Sequence, residues 1–342
     1  MKLSLDALKA GKANLQKAPF TIFTSVSGAR HAVDSDGTRR NLWIDTRQST
    51  SFLVDTPHWQ NAVAAAAGSR QPNTLKVITW NVWFDAMSNG RRFEALVGEV
   101  LKHDPDVLCL QEVTPTFSTA LCSSAILTDM YAYSPFSINS YGCMILARKR
   151  LRPSFLEVPL PTRMDRRLLL CAFDGDKSVV ATVHLESLSN QERRRDQLKV
   201  AREALAPYVN AILCGDFNFD DTQAYGAWRR DGDVASPLEN NVLVEELAAF
   251  VDMWPRLHPT VRGATFDGKS NPICIMDRNE VMRYDRVLLK TSSVWEGAMM
   301  AILGTQAIDE TGMKPSDHYG LVFECTVGAA KDKDITSTAT EL

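Results

Sequence analysis

The chain has 342 residues, 45% hydrophobic and 23% charged, with a net charge of −3 at pH 7. That length gives apolar material for one large domain or two ordinary ones, and the near-neutral balance excludes a global electrostatic pull toward nucleic acid. No window approaches the roughly 18 consecutive apolar residues of a membrane span, and Asp6, Lys9 and Lys12 break any signal-peptide core in MKLSLDALKAGK. A soluble protein that stays inside the cell is expected, with no membrane partner. The seven cysteines are scattered, mostly within apolar segments and never spaced as CxxC, so buried thiols are expected and neither a zinc site nor a disulfide framework.

Residues 1–74 show no clear period and no motif, and read as an accessory segment of unknown role ending in the linker-like NAVAAAAGSRQPNT. From Leu75, apolar strands alternate with helical stretches: LKVITWNVWF, a helix over 91–103, then DVLCLQEV. Further strands are predicted at 141–148, 167–173, 178–186, 209–215, 284–290 and 319–326. A helix is predicted from Ser189, where Glu192 completes a capping box, toward Pro207. Many strands with few long helices predict an α/β fold over 75–327, two packed mixed β-sheets flanked by helices in a four-layer sandwich. The polar tail 328–342 is expected to be disordered, and its Thr340-Glu341-Leu342 end is a three-residue match to a PDZ-domain ligand.

Polar residues collect at the strand ends. Asn81 ends the first strand in TWN, Gln111 and Glu112 end the second, and His184, Glu186 and Ser187 close another in HLES. Asp216 and Asn218 follow in LCGDFNFDD, Asp285 opens a strand in RYDRVLL, and Asp317 and His318 precede the last in PSDHYGL. Any one of these is an ordinary turn or cap residue, since such side chains bond nearby backbone. Six such clusters in this order point instead to one site. Arginines cluster at Arg163, Arg166 and Arg167 in PTRMDRRLLL, a patch able to meet a polyanion, and at Arg193–Arg195, which read as a solvated helix face.

The series TWN, QEV, HLES, GDFN, YDR and SDH resembles the endonuclease/exonuclease/phosphatase superfamily of metal-dependent phosphoesterases. Within it, TWNVWFD, HLES, PSDHYGL, RMDRRLLL and VDMW look most like the branch that hydrolyses 5′-phosphotyrosyl-DNA bonds. The resemblance implies removal of topoisomerase II adducts from DNA 5′ ends by in-line water attack, a DNA-repair task. It implies Mg2+ as cofactor, with Mn2+ as the alternative, held by Glu112 with Asp317 supporting it through water. Asp216 would take the proton of the attacking water and Asn218 would orient water or phosphate. His318, oriented by Asp285, and His184 would donate to phosphoryl oxygens, and Asn81 would fix Glu112 or the phosphate. Substrate contacts would come from Arg166, Ser187, Tyr141 and Phe266, the aromatics stacking on a terminal base. No Ser or Cys nucleophile is needed, because a phenolate of pKa about 10 leaves readily.

The implied partner is a single-stranded DNA 5′ end carrying a tyrosine or a topoisomerase II peptide. A monomer in the nucleus is expected, with the cytoplasm as the alternative. Two positions depart from the branch: Phe219-Asp220 where animal members carry an Arg, and Ala264-Thr265-Phe266-Asp267 where they carry Tyr-Thr-Trp-Asp. An abasic-site endonuclease, a deadenylase, an inositol-phosphate phosphatase and a sphingomyelinase-like enzyme would keep Glu112, Asp216 and His318. A catalytically silent binding module is the alternative of another class.

Overall fold

The computed structural model describes residues 73–86, 89–175, 177–229, 239–274 and 279–327, with backbone elements at Phe20–Thr24 (β1), Arg30–Asp34 (β2), Arg39–Asn41 (β3) and Pro57–Ala66 (α1). The expected disordered tail, its PDZ-like end and most of the N-terminal stretch lie outside the described residues. Helix α1 falls within that stretch, yet its Trp59 is fully buried against Phe93.

One six-stranded sheet joins β4 (Thr74–Asn81), β5 (Val107–Val113), β6 (Tyr131–Tyr133), β7 (Gly142–Arg148), β16 (Trp295–Leu303) and β17 (Gly320–Val327) in the order β16-β17-β4-β5-β7-β6. The other joins β8 (Ser154–Pro159), β9 (Arg167–Phe173), β10 (Ser178–His184), β11 (Asn210–Asp216), β12 (Phe250–Asp252) and β15 (Asp285–Lys290) in the order β12-β15-β11-β10-β9-β8, while β13 (Phe266–Asp267) and β14 (Val281–Met282) pair by themselves. Each sheet is mixed, with one parallel pair at its centre. Helix α2 (Asn89–His103) links β4 to β5, and α3 (Gln191–Leu205) links β10 to β11, as a parallel pair requires. The two sheets face each other, and helices cover their outer faces, giving the expected four layers.

Side-chain alternation assigns the layers. In β4, Leu75 and Val77 face the opposite sheet, while Ile78 and Trp80 pack outward with α2. In β11, Ile212 and Cys214 face inward while Ala211 and Leu213 pack outward with α3. Continuing the inward rows by one or two residues reaches Asn81, Gln111, His184, Asp216 and Asp285. All five therefore project into the space between the sheets at one end of the sandwich. Five of the seven cysteines are buried, as expected; Cys143 is half-buried and Cys122 exposed.

The structure departs from expectation in local ways. The capping box at Ser189 does not form: Asn190 is the N-cap of α3, makes no side-chain cap bond, and donates its amide to the Ser187 carbonyl at 2.6 Å. Arg194 is not solvated but fully buried, paired with Glu239 through two 2.6 Å bonds, because α3 turns that position toward the sheet. Strands β8 and β16 had no clear signal. β8 is an edge strand flanked by Pro153 and Pro159, and β16 is an edge strand with a bulge at Gly297/Met299 and helix-favouring Ala and Met.

Candidate active site

The site lies at the carboxyl ends of the two central parallel pairs, where open α/β sheets present their ligand-binding groups. Asn81 closes β4 and donates from Nδ2 to Asp216 Oδ2 at 2.9 Å, which joins the two sheets. Below this bond, Gln111 Nε2 donates to Thr182 Oγ1 at 2.9 Å and to Thr79 Oγ1 at 3.1 Å. A polar layer thus separates the apolar core from the site.

Glu112 follows one residue after Gln111, so strand alternation alone would turn it outward beside Leu108 and Leu110. The β5–β7 register shifts between Leu110 and Val113, and Glu112 takes a left-handed φ of 57°. This bulge re-aims the carboxylate into the site, a recurring use of such irregularities. Glu112 Oε2 accepts from the Phe84 amide at 3.1 Å. Burial and the nearby Asp317 charge push the Glu112 carboxyl up to about 7. Burial likewise raises Asp317. Two half-buried carboxylates that repel each other make a hard oxygen donor set, which fits a divalent cation.

Asp216 ends β11 beside Gly215, whose φ of 131° and approach to the Val183 carbonyl leave no room for a Cβ. Its Oδ1 accepts from the Asn218 amide at 2.8 Å, and Asn218 Nδ2 donates to the Leu185 carbonyl at 2.9 Å. Burial would raise the Asp216 carboxyl, but His184, His318 and the bonds from Asn81 and Asn218 outweigh it and hold it below its usual range.

The two histidines are prepared differently. Arg166 Nη1 lies 3.0 Å from His184 Nδ1, and since a guanidinium only donates, Nδ1 is the acceptor and Nε2 carries the proton. That Nε2 lies 3.4 Å from Asp216 Oδ2 and 3.8 Å from Glu112 Oε1. Burial and the Arg166 charge drop the imidazole to about 3, so it is neutral. His318 instead places Nδ1 2.8 Å from Asp285 Oδ2. Burial opposes its charge, yet Asp285 and Asp216 outweigh burial and hold the imidazolium well above the ordinary value. Asp216, Asp285 and His318 bring one donor atom each within 4.8 Å of one another. The His318–Asp285 bond already occupies two of those atoms, and His318 Nε2 lies 3.9 Å from Asp216 Oδ2.

Beside His184 opens a groove lined by Phe136, Ile138, Tyr141, Arg166 and Arg167. Arg166 stands 5.4 Å over the Tyr141 ring and donates from Nη2 to Ser187 Oγ at 2.8 Å. The half-exposed Phe84 stacks on Tyr141 with centroids 4.9 Å apart.

The family model described as Endonuclease/Exonuclease/phosphatase family matches residues 78–318, a span that contains every residue placed in this site. The chain belongs to that family. It is 29% identical over 326 residues to Tyrosyl-DNA phosphodiesterase 2 of Danio rerio, covering 87% of this chain and 82% of the relative. It is 28% identical to Tyrosyl-DNA phosphodiesterase 2 of Xenopus laevis, covering 72% and 65%. The crystal structure of D. rerio TDP2 complexed with single-strand DNA product is 26% identical with a TM-score of 0.62, covering 74% of this chain and 99% of that one.

Against this family background, the fold gathers Asn81, Glu112, His184, Asp216, Asn218, Asp285, Asp317 and His318 in one place, with Arg166, Ser187 and Tyr141 at its side. Phe266 is not among the residues lining the groove: it is 9% exposed and its ring stands T-shaped against His318 at 5.2 Å, where it buttresses the imidazole. Asp220, at a departure position, is folded inward and accepts from the Arg283 amide at 2.7 Å and from Arg262 at 3.3 Å. Sequence reasoning missed Phe84 because it lies past the strand, where no period marks a facing side. It also missed Arg92, which donates to the Val82, Trp83 and Pro315 carbonyls and so staples the loops carrying Asn81 and Asp317. No motif or turn signal marks that arginine; only its buried place on α2 reveals it.

Proposed function

We propose that this chain is a divalent-metal-dependent phosphodiesterase that hydrolyses 5′-phosphotyrosyl-DNA bonds, releasing topoisomerase II remnants from single-stranded DNA 5′ ends. The observation that carries the reading is the convergence of two unlike imidazoles, one neutral and one charged, with Asp216 and the Glu112–Asp317 pair, beside a groove holding Arg166 over Tyr141. The likeness to relatives named for tyrosyl-DNA hydrolysis, over most of the chain, supports the choice of substrate.

The residues divide the work. Asp216 takes the proton of the attacking water, and Asn218 offers its side-chain oxygen to orient that water. His184 and His318 each point an Nε2–H toward the phosphoryl oxygens, where negative charge builds. Asp285 keeps the second imidazole charged. Glu112 and, through water, Asp317 would hold the cation, magnesium in this reading, with manganese able to replace it. When bound, it supplies Lewis acidity at the phosphoryl group and charge to stabilise the departing phenolate. Arg166, Tyr141 and Ser187 bind the strand end. Among the described residues no helix is long and apolar enough to cross a membrane. In this reading the protein works as a monomer on DNA in the nucleus, with the cytoplasm as the alternative.

The test is incubation with magnesium and a 5′-phosphotyrosyl single-stranded oligonucleotide, with Glu112→Gln alongside. Release of a free 5′-phosphate end by the wild type alone is expected. Release from an abasic, poly(A), inositol-phosphate or sphingomyelin substrate instead overturns the substrate assignment.

A further inference from the structure

Glu186 sits two residues after His184 in HLES, but its carboxylate does not enter the site. It is fully buried and faces the loop that precedes β9. Its Oε2 accepts from Thr162 Oγ1 at 2.6 Å, and its Oε1 accepts from the Arg163 amide at 2.8 Å. Thr162 Oγ1, having donated its proton, accepts from the Met164 amide at 2.9 Å and the Arg166 amide at 3.1 Å. From the other side, Gln197 of α3 accepts from the Glu186 amide at 2.8 Å and donates to the Pro161 carbonyl at 3.0 Å. A continuous chain of bonds therefore runs from α3 through Glu186 and Thr162 to the backbone of Arg166.

That loop needs holding. Asp165, immediately before Arg166, has a left-handed φ of 54°, a conformation that a non-glycine residue keeps only where its surroundings over-determine it. Arg166 must in turn reach His184 Nδ1 with one nitrogen and Ser187 Oγ with another, so a small shift of its backbone breaks both contacts. A buried carboxylate with directional partners fixes such a position more tightly than apolar packing, because each bond has a required geometry.

We propose that Glu186, Thr162 and Gln197 form a latch whose task is to position Arg166, making Glu186 and Thr162 positioning residues for recognition of the phosphorylated strand end. This rests on the assignment of Arg166 to substrate binding. It predicts that the latch acts only through Arg166 and has no independent part in hydrolysis.

The test uses Thr162→Val, which keeps shape but loses the hydroxyl, Thr162→Ser, which keeps it, and Glu186→Gln, each alone and with Arg166→Ala. On a 5′-phosphotyrosyl oligonucleotide, Thr162→Val and Glu186→Gln are expected to lower kcat/KM about tenfold, mainly through KM, while Thr162→Ser stays near wild type. In the Arg166→Ala background neither should cost anything further, the non-additivity of residues acting through one another. Independent, multiplying losses overturn the latch. Hydrogen exchange gives a readout separate from turnover: the Met164 and Arg166 amides should exchange at least tenfold faster in Thr162→Val and not in Thr162→Ser. Unchanged exchange overturns the latch even if the enzyme is active. Faster exchange with no turnover of this substrate by wild type leaves the latch standing and removes the substrate assignment.

Discussion

Arg166 and His184 meet through Nη1 and Nδ1 at 3.0 Å, and that single contact decides which edge of the imidazole faces Asp216 and Glu112. A lysine at 166 could supply the charge without the planar two-point reach to His184 and Ser187. Arg166→Lys is therefore expected to lose on the order of tenfold in kcat/KM. Arg166→Ala should in addition weaken single-stranded DNA binding and flatten its salt dependence, as loss of a phosphate contact does. An unchanged slope of log Kd against log salt would return this arginine to a purely structural role.

Glu112→Gln should abolish turnover while leaving the fold intact. Because the Glu112 and Asp317 charges repel each other, the metal-free variant should melt above the metal-free wild type. Magnesium should raise the melting temperature of the wild type and not of the variant, since a ligand stabilises only the state that binds it. Equal magnesium-induced shifts would take Glu112 out of the cation site.

The His318–Asp285 pair makes a different demand. His318→Ala should cost on the order of 10²-fold or more in kcat, the scale of losing one preorganised donor. Asp285→Asn keeps the shape but removes the charge that sustains the imidazolium, so it too should lower kcat with little change in KM. A variant within a few-fold of wild type would exclude charge donation by His318.

Phe84 is 49% exposed and lies flat on Tyr141, so its removal should not unfold anything. Phe84→Ala is expected to weaken single-stranded DNA by about 1 kcal/mol or more, the scale of an aromatic–base stack. Fluorescence anisotropy with a short oligonucleotide measures it; identical affinities would leave Tyr141 as a stacking face without its partner.

Asp220 links stability to pH. Burial would raise its carboxyl, but the bonds from the Arg283 amide and from Thr222 outweigh burial and hold it below its ordinary value. A depressed folded value means that the stabilisation is complete above the unfolded pKa of about 3.9 and is lost as pH falls through the folded one. Asp220→Asn should thus destabilise by roughly 2 kcal/mol at pH 7, the range for a bond to a buried charge. Denaturant titrations should show the gap between variant and wild type closing as pH falls below the unfolded value of about 3.9; a constant gap would mean that shape, not charge, matters there.

Much of this site was legible in the sequence because strand alternation is rigid. Once β4, β10, β11 and β15 were recognised, Asn81, His184, Asp216 and Asp285 followed as the polar ends of inward rows. Glu112 was legible by its motif and not by its parity, since only a backbone bulge turns it inward. The latch was not legible: Thr162 lies in a loop without period, and Glu186 in HLES stands among the polar strand ends with nothing in the sequence to show that it turns away from the site. Arg194 was misread because polar residues on a helix suggest solvent, and the Glu239 partner lies 45 positions away. Phe266 showed its type but not its orientation.

The bond from Asn81 to Asp216 has a consequence for the life of the molecule before it is complete. Glu112 and Asn81 ride on one sheet, while His184, Asp216 and Asp285 ride on the other. Neither sheet carries a hydrolytic centre by itself. A newly made or partly unravelled chain thus holds only half of the polar cluster on either sheet, and a working centre arrives only together with the geometry that restrains it.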